Sequence, residues 1–362
     1  MAAAASEHKH RRRAPDGIVL WNGTGLVHDA RPCGADWLLR LHEEADGRQW
    51  RQRVPSFVRE QLVRRNRRYL SQEHQDALIQ RVFACVGMSN HYFVEFGFNE
   101  AGYGLDGGPF NRSSGAQTHM LHELGWRGLL LDGENENAAI NLRKHFLFAS
   151  NVQALFNQYA VPKDLDFLSV DMDSHDLFVL RSILSGGWRP RLFSAEFNCN
   201  YGSHRYPIAL LDPTLERGEV PPGYVFKYAD CSWGTSSYAL QLLGREFGYS
   251  LIARVRSLDL FFLRDDLRQH KPVQNWTAIF TAQRPADASQ LARFEGGVCA
   301  SGKKKSNHPA IHNPALLDRL IDYSVYRKTM SVPLAVASAK ETMRTHLGHA
   351  ACWRPLFRRP LL

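Results

Sequence analysis

An α/β architecture is what this sequence predicts: a mainly parallel sheet with helices on both faces and an antiparallel hairpin at one edge. Three observations predict it. Between residues 92 and 197, short runs rich in Val, Leu and Phe alternate with helical stretches, the pattern of successive βαβ units. Each run carries or is followed closely by a carboxylate or an amide. Farther on, two apolar runs lie only two residues apart, a spacing that reads as a hairpin.

Taken in order, strands are predicted at Tyr92–Phe96, Arg127–Leu131, Gln153–Phe156, Phe167–Val170 and Leu192–Phe197. Helices are predicted between them at Gln117–Leu124, Asn137–His145 and Leu177–Ser185. The polar residues at the strand ends are Glu95 and Asn99, Asp132, Asn157, Asp171 and Asp173, then Glu196 and Asn198. In an open α/β sheet the carboxyl ends of parallel strands share one edge, so these side chains are expected to converge in one crevice. Residues 199–235, rich in Gly, Pro, Tyr and His, read as an insertion over that crevice. A helix over Ser236–Phe247 precedes the hairpin runs Tyr249–Val255 and Leu258–Leu263. Helical patterns recur at Pro314–Tyr326 and Leu334–His346. Three segments result: a basic arm and helix over 1–75, an α/β domain over 76–272 and a C-terminal extension over 273–362.

The composition is that of a folded, soluble chain: 44% of the 362 residues are hydrophobic and 22% are charged. Apolar runs are strand-sized, which excludes a transmembrane helix and leaves no membrane partner. The six cysteines form no C-x-x-C pair, so neither a zinc knuckle nor a disulfide scaffold is written, and reduced thiols point to the cytoplasm. The start of the chain has basic residues but no apolar core of a secretory signal. The formal charge of +9 is uneven: residues 1–70 hold 14 Lys and Arg against 8 Asp and Glu, residues 301–362 hold 11 against 3, and the middle is net acidic. Arginines between Arg51 and Arg68 interleave with Val54, Phe57, Leu62 and Val63, which predicts a basic amphipathic helix after Pro55. A solvated face with buried arginine stems is the favoured reading of that helix, and a nucleic-acid contact the weaker one.

Two features of the middle segment point to a nucleotide-bearing ligand. Glu95 with Gly97 and Asn99 closes the first strand, and Asp132-Gly133 closes the second, where nucleotide-binding sheets place the acceptor for ribose hydroxyls. Gly102-Tyr103-Gly104-Leu105-Asp106-Gly107 spells the dinucleotide fingerprint, but it begins six residues beyond the strand and runs into Gly108-Pro109. That motif works only at a strand-to-helix turn, where a helix N-terminus faces the pyrophosphate. A nicotinamide-dependent oxidoreductase is therefore disfavoured.

The ordered set Glu95-x-Gly97-x-Asn99, Gln117-Thr118, Gly125-Trp126-Arg127-Gly128, Leu129 to Gly133, Asp166 to Asp173, Glu196-Phe197-Asn198, Gly248-Tyr249 and Asp259 to Phe262 resembles the FkbM-type methyltransferases. The resemblance covers roughly residues 90–265 and departs at Ala101 and in the glycine-rich stretch 102–115. It implies a class I methyltransferase (Rossmann-like) sheet and S-adenosylmethionine as cofactor. It further implies that Glu95, Gly97 and Asn99 line the methionine end of the cofactor, that Asp132 accepts its ribose hydroxyls, and that Asp171 closes the site.

The expected activity is O-methylation of a small hydroxylated acceptor. Methyl transfer is an in-line displacement that rests mainly on alignment, and a hydroxyl acceptor adds the need for a base. Asp171, Asp173 and His175 are the candidate catalytic residues, with Asp173 or His175 as the base. Glu196, Asn198 and His204 are candidate substrate contacts. Asp171, Asp173, Glu196 and Asn198 have the hard-oxygen character that suits Mg²⁺ or Ca²⁺, but the same acids also suit the N-terminus of a helix through Leu184, and no metal is assigned. Trp126 and Trp188 are read as core. The alternative from another class is a non-catalytic methyltransferase-like module that contacts a partner or nucleic acid through its basic arm.

Overall fold

The computed structural model describes residues 71, 75–97, 115–198, 201, 206–221, 233–255, 258–268 and 317–347. The helix expected after Pro55, the glycine-rich stretch before Gly115, and the basic residues 303–305 lie outside them.

The expected α/β fold is present. A seven-stranded sheet is built from β1 (Tyr92–Phe96), β2 (Arg127–Asp132), β3 (Leu142–Lys144), β4 (Phe167–Val170), β5 (Leu192–Glu196), β7 (Tyr249–Val255) and β8 (Asp259–Arg264), in the order β3-β2-β1-β4-β5-β8-β7. Strands β3, β2, β1, β4 and β5 are parallel, while β8 runs antiparallel to both neighbours. The hairpin β7–β8 therefore closes the sheet at one edge, as its two-residue separation predicted. The described helices are α1 (Gln75–Val86), α2 (His119–Glu123), α3 (Val152–Gln158), α4 (Asp176–Ser185), α5 (Ser237–Glu246), α6 (Tyr323–Thr329) and α7 (Val332–Thr342). None is long and apolar enough to cross a membrane.

Period-two alternation assigns the faces. Val94, Phe96, Leu129 and Leu131 point to one side, where they pack with Val152, Phe156, Leu177, Leu180 and Leu240 of α3, α4 and α5. Phe93, Leu130, Phe167 and Leu192 point to the other, against Leu78, Val82 and Phe83 of α1 and Met120 of α2. Trp126 and Trp188 are buried as expected of core residues: Trp126 stacks at a tilt 5.2 Å from Phe83, and Trp188 meets Phe156 edge-on.

The third βα unit departs from expectation. Asn137–His145 is not a helix but a short 3₁₀ turn, Ala138–Ile140, followed by β3, and Gln153–Phe156 is not a strand but lies within α3. Asn137 caps the turn by accepting the N–H of Ala139, and Asn141 takes a left-handed conformation with φ +56°, which ends the turn after one cycle. The chain then pairs Leu142 with Leu130. Val152, Leu155 and Phe156 recur at helical spacing and are all buried, so α3 covers the sheet. Asn157, expected at a strand end, is an exposed residue of α3.

Part of the stretch read as a C-terminal extension is built into the body of the protein. Within the helical pattern of 314–326, Leu320–Asp322 is a strand, β9, which pairs antiparallel with β6 (Ile208–Leu210). Asp322 caps α6 and Ser331 caps α7. Ile321, Tyr323, Tyr326, Val332 and Ala335 join the same buried cluster as α4 and α5.

Candidate functional site

Sheet register brings the site together. β2 pairs with β1 as Leu131 with Phe96, β1 with β4 as Glu95 with Ser169, β4 with β5 as Val170 with Ala195, and β5 with β8 as Glu196 with Asp259. Continued by one or two residues, this register aligns Asp132, Gly97, Asp171, Glu196 and Asp259 in a row across the top of the sheet. Alternation places Glu95, Ser169 and Ser194 one rung below, on the same face. The row spans the gap between β1 and β4, where strand order reverses and where α/β sheets bind ligands.

Gly97 is held by contact with β4. Its φ is +74°, and a β-carbon there would fall on the carbonyl oxygen of Asp171. The glycine thus permits a close approach to the β4 backbone. Glu95, expected to line the methionine end of the cofactor, is hydrogen-bonded to the residues that open α2. Its carboxylate accepts the N–H groups of Gln117 (2.8 Å) and Thr118 (2.9 Å) and the Thr118 hydroxyl. Burial pushes the Glu95 carboxyl up to about 7, against the lowering effect of those hydrogen bonds. Beside it, the Ser194 hydroxyl donates to Gln117 Oε1 at 2.8 Å.

Asp132 ends β2 as predicted. Its Oδ1 accepts Glu134 N (2.8 Å), Asn135 N (2.6 Å) and Asn135 Nδ2 (2.9 Å), while its Oδ2 has no partner among the described residues. One oxygen is thus pinned by the turn and the other is not.

Asp171, Asp173 and Glu196 each present a carboxylate oxygen within 4.8 Å of the other two. Burial, then the charges of Asp173, Asp259 and Asp176, push the Asp171 carboxyl well above the ordinary carboxylate range. Burial, then Asp171 and Asp173, does the same to Glu196. The Asp171 and Glu196 side chains are hydrogen-bonded to each other, so between them they retain a proton that two isolated carboxylates would release. Asp176, in the first turn of α4, accepts Met172 N (2.7 Å) and Ser174 N (3.0 Å) and thereby folds the loop that presents Asp173, whose φ is +56°. Neither Asp173 nor Ser174 caps α4 as expected: its N-cap position is His175, which makes no side-chain cap hydrogen bond.

The other candidates are placed differently. His175, expected as a base, is buried with its ring stacked on Phe148, and its Nε2 lies 2.8 Å from Leu147 O and 3.6 Å from Asp212 Oδ2. Through Nε2 it ties the β3–α3 loop to the start of α4. Asn198 is fully buried; its Nδ2 donates to Trp233 O at 2.7 Å and its N–H to Thr235 O, fastening the segment before α5. Asn99 and His204 lie outside the described residues.

Asp259 entered the sequence reading only within the motif Asp259 to Phe262 and was given no role in the site. It sits opposite Glu196, accepts Gln75 Nε2 at 2.7 Å, and its charge acts on both Glu95 and Asp171. The available signal was its place at the start of a strand: in an antiparallel strand the first residue lies at the edge where parallel neighbours end. Compared with models of known protein families and with curated protein sequences, the chain shows no match to either.

Proposed function

We propose that the chain is an S-adenosylmethionine-dependent methyltransferase that methylates a hydroxyl of a small acceptor. The observation that carries this reading is Asp132: an acid at the end of β2, beside the point of strand reversal, with one oxygen fixed by its own turn and the other open to a ribose diol. The parallel sheet closed by an antiparallel hairpin, and the resemblance of residues 90–265 to the FkbM type, support it further.

Bound there, S-adenosylmethionine would supply an electrophilic methyl group. The chain's own residues position and deprotonate. Asp132 accepts the ribose hydroxyls, and Glu95 holds the start of α2 and hence Gln117 beneath the row. In the Asp171–Glu196 pair, whose carboxyls burial and mutual charge both raise, an ionised carboxylate would take the proton of an acceptor hydroxyl.

Calorimetric titration with S-adenosylmethionine tests the proposal. The unmutated protein should bind with measurable heat. Asp132→Ala should bind roughly tenfold to a hundredfold more weakly, the loss expected for charged hydrogen bonds worth about 1.5–3 kcal/mol. Absence of heat with the unmutated protein would remove the methyltransferase reading.

A further inference from the structure

We propose that Asp171, Asp173 and Glu196 form a binding site for a hard divalent cation of the Mg²⁺ class. Their oxygens converge within 4.8 Å from the ends of two adjacent strands. Convergent acids by themselves are common on protein surfaces; Glu196 separates this cluster from those. It is 7% exposed, and among the described residues its Oε2 has no hydrogen-bond partner. A buried carboxylate oxygen left unpaired costs free energy that a bound cation recovers.

The hydrogen bond between Glu196 and Asp171 leaves Oε2 unpaired, and no described positive charge compensates it. Among the described residues, neither Asp171 nor Glu196 forms an ion pair with a lysine, arginine or histidine. The row adds another acid, Asp259, directly across from Glu196. The donor set decides the class of ion. It is all carboxylate oxygen, without the thiolates and imidazoles that zinc prefers. With three protein ligands, one of them on the exposed Asp173, half of an octahedron is left to water and substrate, in keeping with the waters Mg²⁺ usually retains. An acceptor hydroxyl entering such a position would lose its proton more readily; that role rests on the methyl-transfer reading, whereas binding of the ion does not.

The test therefore uses no methyl donor. The full-length protein is freed of metal with a chelator, then titrated with Mn²⁺ while free Mn²⁺ is followed by its paramagnetic resonance, with Mg²⁺ and Ca²⁺ as competitors. The expected result is one Mn²⁺ per chain, displaced by Mg²⁺, and weakened by roughly tenfold or more in both Glu196→Gln and Asp173→Asn, a loss that even outer-sphere changes produce. Asp173 is exposed, and asparagine tolerates its positive φ, so Asp173→Asn decides the matter if Glu196→Gln does not fold. No saturable binding up to about 1 mM, the weak end of oxygen-ligand sites, or undiminished binding in Asp173→Asn, would overturn the site. Displacement by Ca²⁺ in preference to Mg²⁺ would overturn the assigned class.

Discussion

Gly97 sits where the end of β1 meets the end of β4, and both its positive φ and the carbonyl of Asp171 exclude a side chain. Gly97→Ala should therefore destabilise the protein by about 3 kcal/mol or more. Left-handed backbone alone costs a non-glycine residue roughly 1–2 kcal/mol, and overlap with the β4 backbone adds to it. Urea unfolding measures this; native stability in the variant would mean that the β1–β4 junction differs from the one described. Glu95, two residues earlier, was legible in the sequence as a polar residue closing an apolar strand. Its task was not. Whether a strand-end acid faces a ligand or caps a neighbouring helix depends on where the amides of Gln117 and Thr118 arrive, and the intervening chain does not announce that.

The elements were legible where local pattern and tertiary need agreed. Ser236 caps α5, as a serine before an apolar periodic run should, and its hydroxyl accepts Ala239 N at 3.1 Å. The exchange of helix and strand around residues 137–158 marks the opposite case. Gln153–Phe156 is too short an apolar run for periodicity to distinguish strand from helix, and pairing of Leu142–Lys144 with β2 settles it. Docking of the C-terminal segment was likewise invisible, because β9 is three residues long and acquires meaning only beside β6. Ile321 is fully buried in the main cluster. Ile321→Ala should accordingly lower the unfolding free energy by about 2–5 kcal/mol, in a single denaturant transition shared with the sheet. An unchanged midpoint would show that the segment is a detachable tail.

Taken together, the row of acids gives the protein a characteristic dependence on pH. Glu95 titrates near 7 when folded and near 4.5 otherwise, so between those values the folded chain holds a proton that the unfolded chain has released. The stability associated with that proton is fully present below about 4.5 and is lost as pH rises through about 7. Burial raises Asp171, Asp176 and Glu196 in the same direction. In chelator-containing buffer, the unfolding free energy should therefore decline from pH 5 to 8 rather than rise. Glu95→Gln, which keeps the side chain neutral at every pH, should flatten the decline near pH 7. A profile that climbs through this range, or keeps its full slope without Glu95, would contradict the burial assigned to these carboxyls.

The sequence by itself determined the α/β class, four of the five parallel strands, the closing hairpin and the presence of an acid at β1, β2, β4 and β5, because alternation and turn chemistry act over a few neighbouring residues. Only the tertiary structure decided that Asp259 joins those acids from an antiparallel strand, that Glu95 bonds to the start of α2, that His175 is bound to the β3–α3 loop, and that the chain's later segment completes the core. Those outcomes depend on register and on pairing between distant segments, where a shift of one residue moves a side chain to the opposite face.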